Sequence, residues 1–262
     1  MQHVIRPENS WVMRFHPRSA ADLRLFCFPY AGGSATIFQR WAQPGVLPQE
    51  VELCAIELPG RGVRQQEQVL TQFSDLVTVL AEMLLPSLQE GRSFALFGHS
   101  LGALVSFEVA RHLQERFGLV PVQLFVSGCS APQLGDACPE IADMPALVTY
   151  LRQLGARPNE QMLVRRWPLF QADFALRASY RYTAGGPPLA CPITVFGGSQ
   201  DDSVSRDALA AWREQTLGTC TLHLLPGNHF FLHHAQGQLL RYLQSTLLRV
   251  LRETSPERRS YS

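Results

Sequence analysis

The stretch Phe94-Ala-Leu-Phe-Gly98-His99-Ser100-Leu101-Gly102, continued by Ala103-Leu-Val-Ser-Phe-Glu-Val-Ala110, constrains the fold of this 262-residue chain more than any other. An apolar run of strand length enters Gly-x-Ser-x-Gly, and a helix-like segment leaves it. In such a nucleophile elbow the serine sits on a sharp strand-to-helix turn that lifts its hydroxyl out of the sheet. Glycine is needed on both sides because a side chain there would collide with neighbouring backbone. Ser100 is therefore the candidate nucleophile.

The flanking segments repeat the same alternation. Leu23 to Phe28 reads as a buried strand stopped by Pro29 and Gly32-Gly33, and Val51 to Leu58 reads as another, ended by Pro59-Gly60. Between them, Ser34 to Trp41 suits a short helix capped by Ser34. Thr71 to Leu85 has the apolar spacing of an amphipathic helix, with Pro86 as its expected stop. Val122 to Val126 and Pro192 to Phe196 add strands. A helix from Ser205 to Gln215, the strand Cys220 to Leu225 and a leucine-rich helix from about Phe230 to Leu251 complete the pattern. Parallel strands need helical crossovers, so the alternation predicts an α/β fold: a mostly parallel central sheet covered by helices on both faces.

From Ser130 to about Pro188 that rhythm breaks into two helical patches, Pro145 to Leu154 and Asn159 to Tyr182, with Pro168 expected to kink or split the second. Their apolar residues are too many for a linker. They suit either an ordinary helical excursion or a helical lid over the serine, and the lid is the expectation taken: 130–185 inserted into a core formed by 1–129 and 186–254, with a flexible tail at 255–262.

A serine hydroxyl needs a base, and the base needs a carboxylate to hold its tautomer. His229 follows the last strand in the turn Pro226-Gly-Asn-His229, and it satisfies the chain order serine, acid, histidine. His99 is too close to the serine, while His112 and His223 lie within regular elements; His233 and His234 sit a turn further on and are rivals. Asp201 and Asp202 both stand at the C-terminal end of a strand, where open α/β sheets gather functional groups, and Asp201 is favoured. The backbone N–H of Leu101 supplies one oxyanion donor, and the loop Phe28-Pro-Tyr-Ala-Gly-Gly33 is the natural source of the second.

Other function classes find little support. The 23 basic and 22 acidic residues are scattered, giving a formal net charge of +1 and no footprint for nucleic acid or an anionic membrane. Neither phosphate-loop glycine pattern is present. The six cysteines, Cys27, Cys54, Cys129, Cys138, Cys191 and Cys220, are spread singly and imply neither a metal site nor disulfides. The N-terminus lacks the apolar segment of a signal peptide, and no run approaches membrane-spanning length, so a cytoplasmic protein is expected.

Taken together, Phe28-Pro-Tyr-Ala-Gly-Gly33, Leu58-Pro-Gly-Arg-Gly62, Gly98-His-Ser-Leu-Gly102, Gly197-Gly-Ser-Gln-Asp201 and Gly227-Asn-His-Phe-Phe231 resemble the type II thioesterases of nonribosomal peptide and polyketide synthases. The resemblance implies an α/β-hydrolase fold with a mobile lid. It implies an enzyme that removes stalled or incorrect acyl groups from the phosphopantetheine arm of carrier proteins, without metal or organic cofactor. Carried over by position, it places the nucleophile on Ser100, the acid on Asp201, the base on His229 and the oxyanion donors on Ala31 and Leu101. Tyr30 departs from the histidine, and Asp202 from the proline, that relatives often carry there. Acyl or peptidyl carrier domains are the implied partners of a monomeric enzyme. A carboxylesterase or lipase would use the same triad, and a non-catalytic binding module would need a triad member lost or the pocket blocked.

Overall fold

Seven strands form one sheet in the computed structural model, which describes residues 10–135 and 139–254. Cys138 and the tail expected to be flexible, 255–262, lie outside the described residues. The strands are β1 (Val12–Met13), β2 (Leu23–Phe28), β3 (Val51–Ile56), β4 (Ser93–His99), β5 (Gln123–Ser127), β6 (Ile193–Gly198) and β7 (Cys220–Leu225), in spatial order β1-β3-β2-β4-β5-β6-β7. Every neighbouring pair is parallel except β1 with β3. Two residues are too short for a periodic signal, which is why β1 escapes a sequence reading.

Alternate strand residues feed two cores. Phe26 and Phe28 of β2 and Phe94 and Leu96 of β4 face the layer built by α1 (Phe73–Leu88) and α2 (Leu101–Phe117). Leu23, Leu25, Cys27, Ala95 and Phe97 face Phe38, Trp41 and the C-terminal helix. That helix presents the fully buried stripe Leu239, Leu243 and Leu247. Each such leucine stabilises the layer by roughly 2 kcal/mol through area removed from water. The buried Arg24 of β2 is paired with Glu52 at 3.1 Å and also donates to the Ser87 carbonyl at 2.6 Å.

Several boundaries differ from expectation. Pro86 lies inside α1 and does not end it. A proline near a helix end forfeits a single N–H, and burial of Ser87 and Leu88 together with the Arg24 bond holds the last turn. Ser34 makes no cap bond; its hydroxyl meets Thr36 Oγ1 at 2.6 Å, and only a 3₁₀ turn, Ala35–Phe38, follows. The 205–215 segment begins as α-helix and tightens to 3₁₀ geometry at Ala211–Gln215, where buried Trp212 donates to the Cys129 carbonyl. The final helical segment is broken at Ala235 into Phe231–His234 and Gln236–Thr254.

Between β5 and β6 the chain makes two helices, α3 (Met144–Gln153) and α4 (Glu160–Ser179), capped by Asp143 and Asn159 accepting from Ala146 and Met162 N–H groups. Pro168 does not split α4, whose neighbouring Leu163, Leu169, Phe170 and Leu176 are buried and hold the helix continuous. Leu147, Val148, Leu163 and Phe170 form a small core of their own. The remaining helices are α5 (Arg206–Ala210), α6 (Phe231–His234) and α7 (Gln236–Thr254).

Candidate active site

Ser100 has φ 53° and ψ −118°, and among the described residues it alone combines a side chain with positive φ. That strain is held by close packing. A Cβ on Gly98 would lie 2.0 Å from the Gly102 carbonyl oxygen, and one on Gly102 would lie 2.2 Å from that of Phe28. The Ser100 N–H donates to the Ser127 carbonyl at 2.8 Å, pinning the elbow to β5. Leu101 opens α2, so its N–H has no partner within the helix.

The other groups also stand beyond C-terminal strand ends. Asp201 follows β6 and His229 follows β7. The His229 Nδ1–H donates to Asp201 Oδ2 at 2.8 Å, with the two side chains only 5% and 2% exposed. Burial by itself would raise the Asp201 carboxyl; the bond and charge of His229, with bonds from Ser203, overcome it and lower the carboxyl below its ordinary value. The Ser203 backbone N–H donates to Asp201 Oδ1 at 3.1 Å, and its hydroxyl donates to the same oxygen. Asp202 is exposed. Ser203 escaped the sequence reading, although Asp-x-Ser is a signal for an Asx turn of this kind.

The rival histidines have other partners. His233 Nε2 lies 3.0 Å from the Tyr30 hydroxyl, His223 stacks on Tyr242 at 4.0 Å, and His234 lines a neighbouring cavity. His99 is fully buried beside the His229 ring, with Nδ1 2.9 Å from Ser127 Oγ. Burial, with the charges of His229 and His233 added, holds its imidazole well below the usual range and therefore neutral.

The loop after β2 closes the site. Register pairing sets Phe28 opposite Gly98, so residues 29–33 arrive level with the elbow. Ala31, Ser100, Leu101 and His229 line one cavity of about 250 Å³, whose other lining includes Tyr150 of α3, Leu154 just after it, and Phe170 and Phe174 of α4. A second cavity of about 750 Å³ shares Tyr30, Ala31, Leu151, Phe170 and Phe230 with it. The loop itself is fixed by a buried ion pair: Arg61 Nη2 meets Asp173 Oδ1 at 2.6 Å, and Asp173 Oδ2 accepts the Gly32 N–H at 2.7 Å. Among the described residues, no group of three or more His, Cys, Asp or Glu side chains is arranged to hold a metal ion, and no helix is long and apolar enough to cross a membrane.

The family model for the Thioesterase domain matches residues 23–247. The chain belongs to the thioesterase family. This thioesterase is thus a hydrolase acting on thioesters, and its sheet and helices are those of the α/β-hydrolase fold. It is 39% identical over 250 residues to the gramicidin S biosynthesis protein GrsT of Aneurinibacillus migulanus, covering 93% of this chain and 96% of that protein. It is also 39% identical over 257 residues to LgrE of Brevibacillus parabrevis, a protein named linear gramicidin dehydrogenase, covering 94% and 96%. The type II thioesterase BorB from the borrelidin biosynthetic cluster superposes with a TM-score of 0.80 at 31% identity, covering 90% of this chain and 96% of that one.

Proposed function

We propose that this thioesterase clears aberrant or stalled acyl groups from the phosphopantetheine arms of carrier proteins in nonribosomal peptide or polyketide biosynthesis, using Ser100, His229 and Asp201. The observation that carries the chemistry is the 2.8 Å contact of His229 Nδ1 with a buried carboxylate on the cavity that also holds the strained Ser100. It leaves Nε2 as the nitrogen free to act on the hydroxyl. His229 takes the Ser100 proton as Oγ attacks the thioester carbonyl. The resulting oxyanion is met by the Leu101 and Ala31 N–H groups, each such donor contributing about 3 kcal/mol to barrier lowering. The C–S bond then breaks, and the imidazolium returns its proton to the departing thiol. Water, deprotonated by the same imidazole, attacks the acyl-serine ester, releasing the acid and restoring Ser100. Asp201 stays ionised and steadies the imidazolium. Every proton and electron pair in this sequence is supplied by the protein, water or the thioester, so no cofactor is called for.

The carrier-bound substrate is supported by the biosynthetic roles in the names of GrsT and BorB. Residues 130–185, whose helices wall the cavity opposite Ser100, are read as the lid that shapes the acyl pocket. Carrier proteins loaded with short acyl groups, assayed for acid release against a p-nitrophenyl ester, test both halves of the proposal. The thioester on the carrier is expected to have the higher kcat/KM, and Ser100→Ala is expected to abolish turnover. A Ser100→Ala protein as fast as the parent would remove the serine mechanism, and a preference for the free ester would make this a carboxylesterase.

A further inference from the structure

Arg61 and Asp173 are more deeply buried than charges usually are, and their bonds converge on Gly32 and Gly33. Asp173 takes the Gly32 N–H on Oδ2, while Arg61 Nη1 donates to that same Oδ2 and to the Gly33 carbonyl, both at 3.0 Å. The Gly33 N–H in turn donates to the Tyr30 carbonyl at 2.8 Å. In a trans peptide the carbonyl and the N–H point in opposite directions, so holding the Tyr30 oxygen inward turns the Ala31 N–H outward. One face of α4 serves this loop: Arg166 donates to the Gly32 carbonyl at 3.3 Å, the Phe170 ring lies so close to Gly32 that a Cβ there would be 2.3 Å from it, and Asp173 completes the stripe.

We propose that the buried Arg61–Asp173 pair is a positioning clamp, which orients the Ala31 N–H for the oxyanion only while α4 is seated on the loops after β2 and β3. Arg61 belongs to the turn after β3 and Asp173 to the helical insertion, so the pair joins the two bodies whose separation would open the site. If α4 lifts, Arg61 and the Gly32 N–H lose their shared acceptor together. A buried guanidinium without its carboxylate is costly, which makes the seated and lifted arrangements two discrete states. Thioester cleavage is thereby confined to the closed enzyme. Arg61 and Asp173 act through Ala31 and are positioning residues. The proposal rests on the reading of Ala31 as an oxyanion donor.

The test compares Asp173→Asn and Arg61→Lys with the parent, with rates expressed per folded enzyme below the unfolding temperature. Asn keeps an acceptor and the side-chain volume; Lys keeps the charge without the fork. Misorienting one donor is expected to lower kcat about 10- to 100-fold. KM should stay within about threefold. An acyl trifluoromethyl ketone forms a hemiketal oxyanion with the serine, so its affinity should fall by the same factor as kcat/KM. Unchanged kcat and unchanged inhibitor affinity in whichever variant folds overturn the clamp, as does a rise in KM alone. Ser100→Ala separates the two levels: if it stays active the serine mechanism fails, whereas if it is dead and both clamp variants behave like the parent, only the clamp fails.

Discussion

Replacing Gly102 by alanine probes the contact that ties the Ser100 elbow to the loop proposed to bind the oxyanion. The new Cβ would stand 2.2 Å from the Phe28 carbonyl oxygen and 2.6 Å from that of Pro29, whereas ordinary contact begins at 3.4 Å. The deficit at Phe28, 3.4 minus 2.2, is 1.2 Å, and both partners are backbone, so no side chain can rotate away. Either the first turn of α2 recedes or the end of β2 does, and the two carry Leu101 and Ala31. Overpacking of this kind costs about 1–3 kcal/mol. At roughly 2–4 °C per kcal/mol for a domain of this size, Tm should fall by about 2–12 °C. Catalysis should suffer more, since a displacement of about 1 Å at a reacting centre costs on the order of 100-fold in rate. Thermal unfolding and acid release from an acylated carrier protein, run on one preparation, measure both. A Gly102→Ala enzyme with kcat/KM within threefold of the parent and an unshifted Tm would show that the loop and elbow are not in rigid register, and the structural basis for the oxyanion site would be refuted.

Asp201→Asn should lower kcat by about 10⁴-fold, because the amide no longer fixes the tautomer that leaves Nε2 basic. The same variant should alter acid stability. A carboxyl whose folded-state value is lowered adds stability above the ordinary aspartate range and loses it as pH falls through its folded value. Denaturant titrations of parent and variant should therefore differ most above the ordinary aspartate range and converge only once pH has fallen below the lowered folded-state value. Phe170→Ala removes the side chain that walls both cavities, so the ratio of kcat/KM for long over short acyl thioesters should rise at least about 10-fold, and an unchanged ratio would place the acyl chain elsewhere.

Chain pattern alone carried the reading a long way where a residue's role is local. Gly98 and Gly102 flank a serine between a strand and a helix, and that order admits few backbones. His229 and Asp201 were legible because each follows a strand, and parallel strands deliver their C-terminal ends to one edge. Proline misled as a stop at 86 and as a break at 168, because its local cost was outweighed by burial of the residues around it against the rest of the fold. That His229 meets Asp201 and not its exposed neighbour Asp202 emerged only once the side chains were placed.

What sequence by itself determined is the alternating layer order and the identity of the reactive triad candidates, because periodicity and turn chemistry act over a few residues. Tertiary structure alone decided which atoms distant in the chain meet: Tyr30 on His233, and Arg61 on Asp173 across 112 positions. Those contacts depend on strand register and on where α4 settles. Both are outcomes of packing the whole chain, so no local pattern records them.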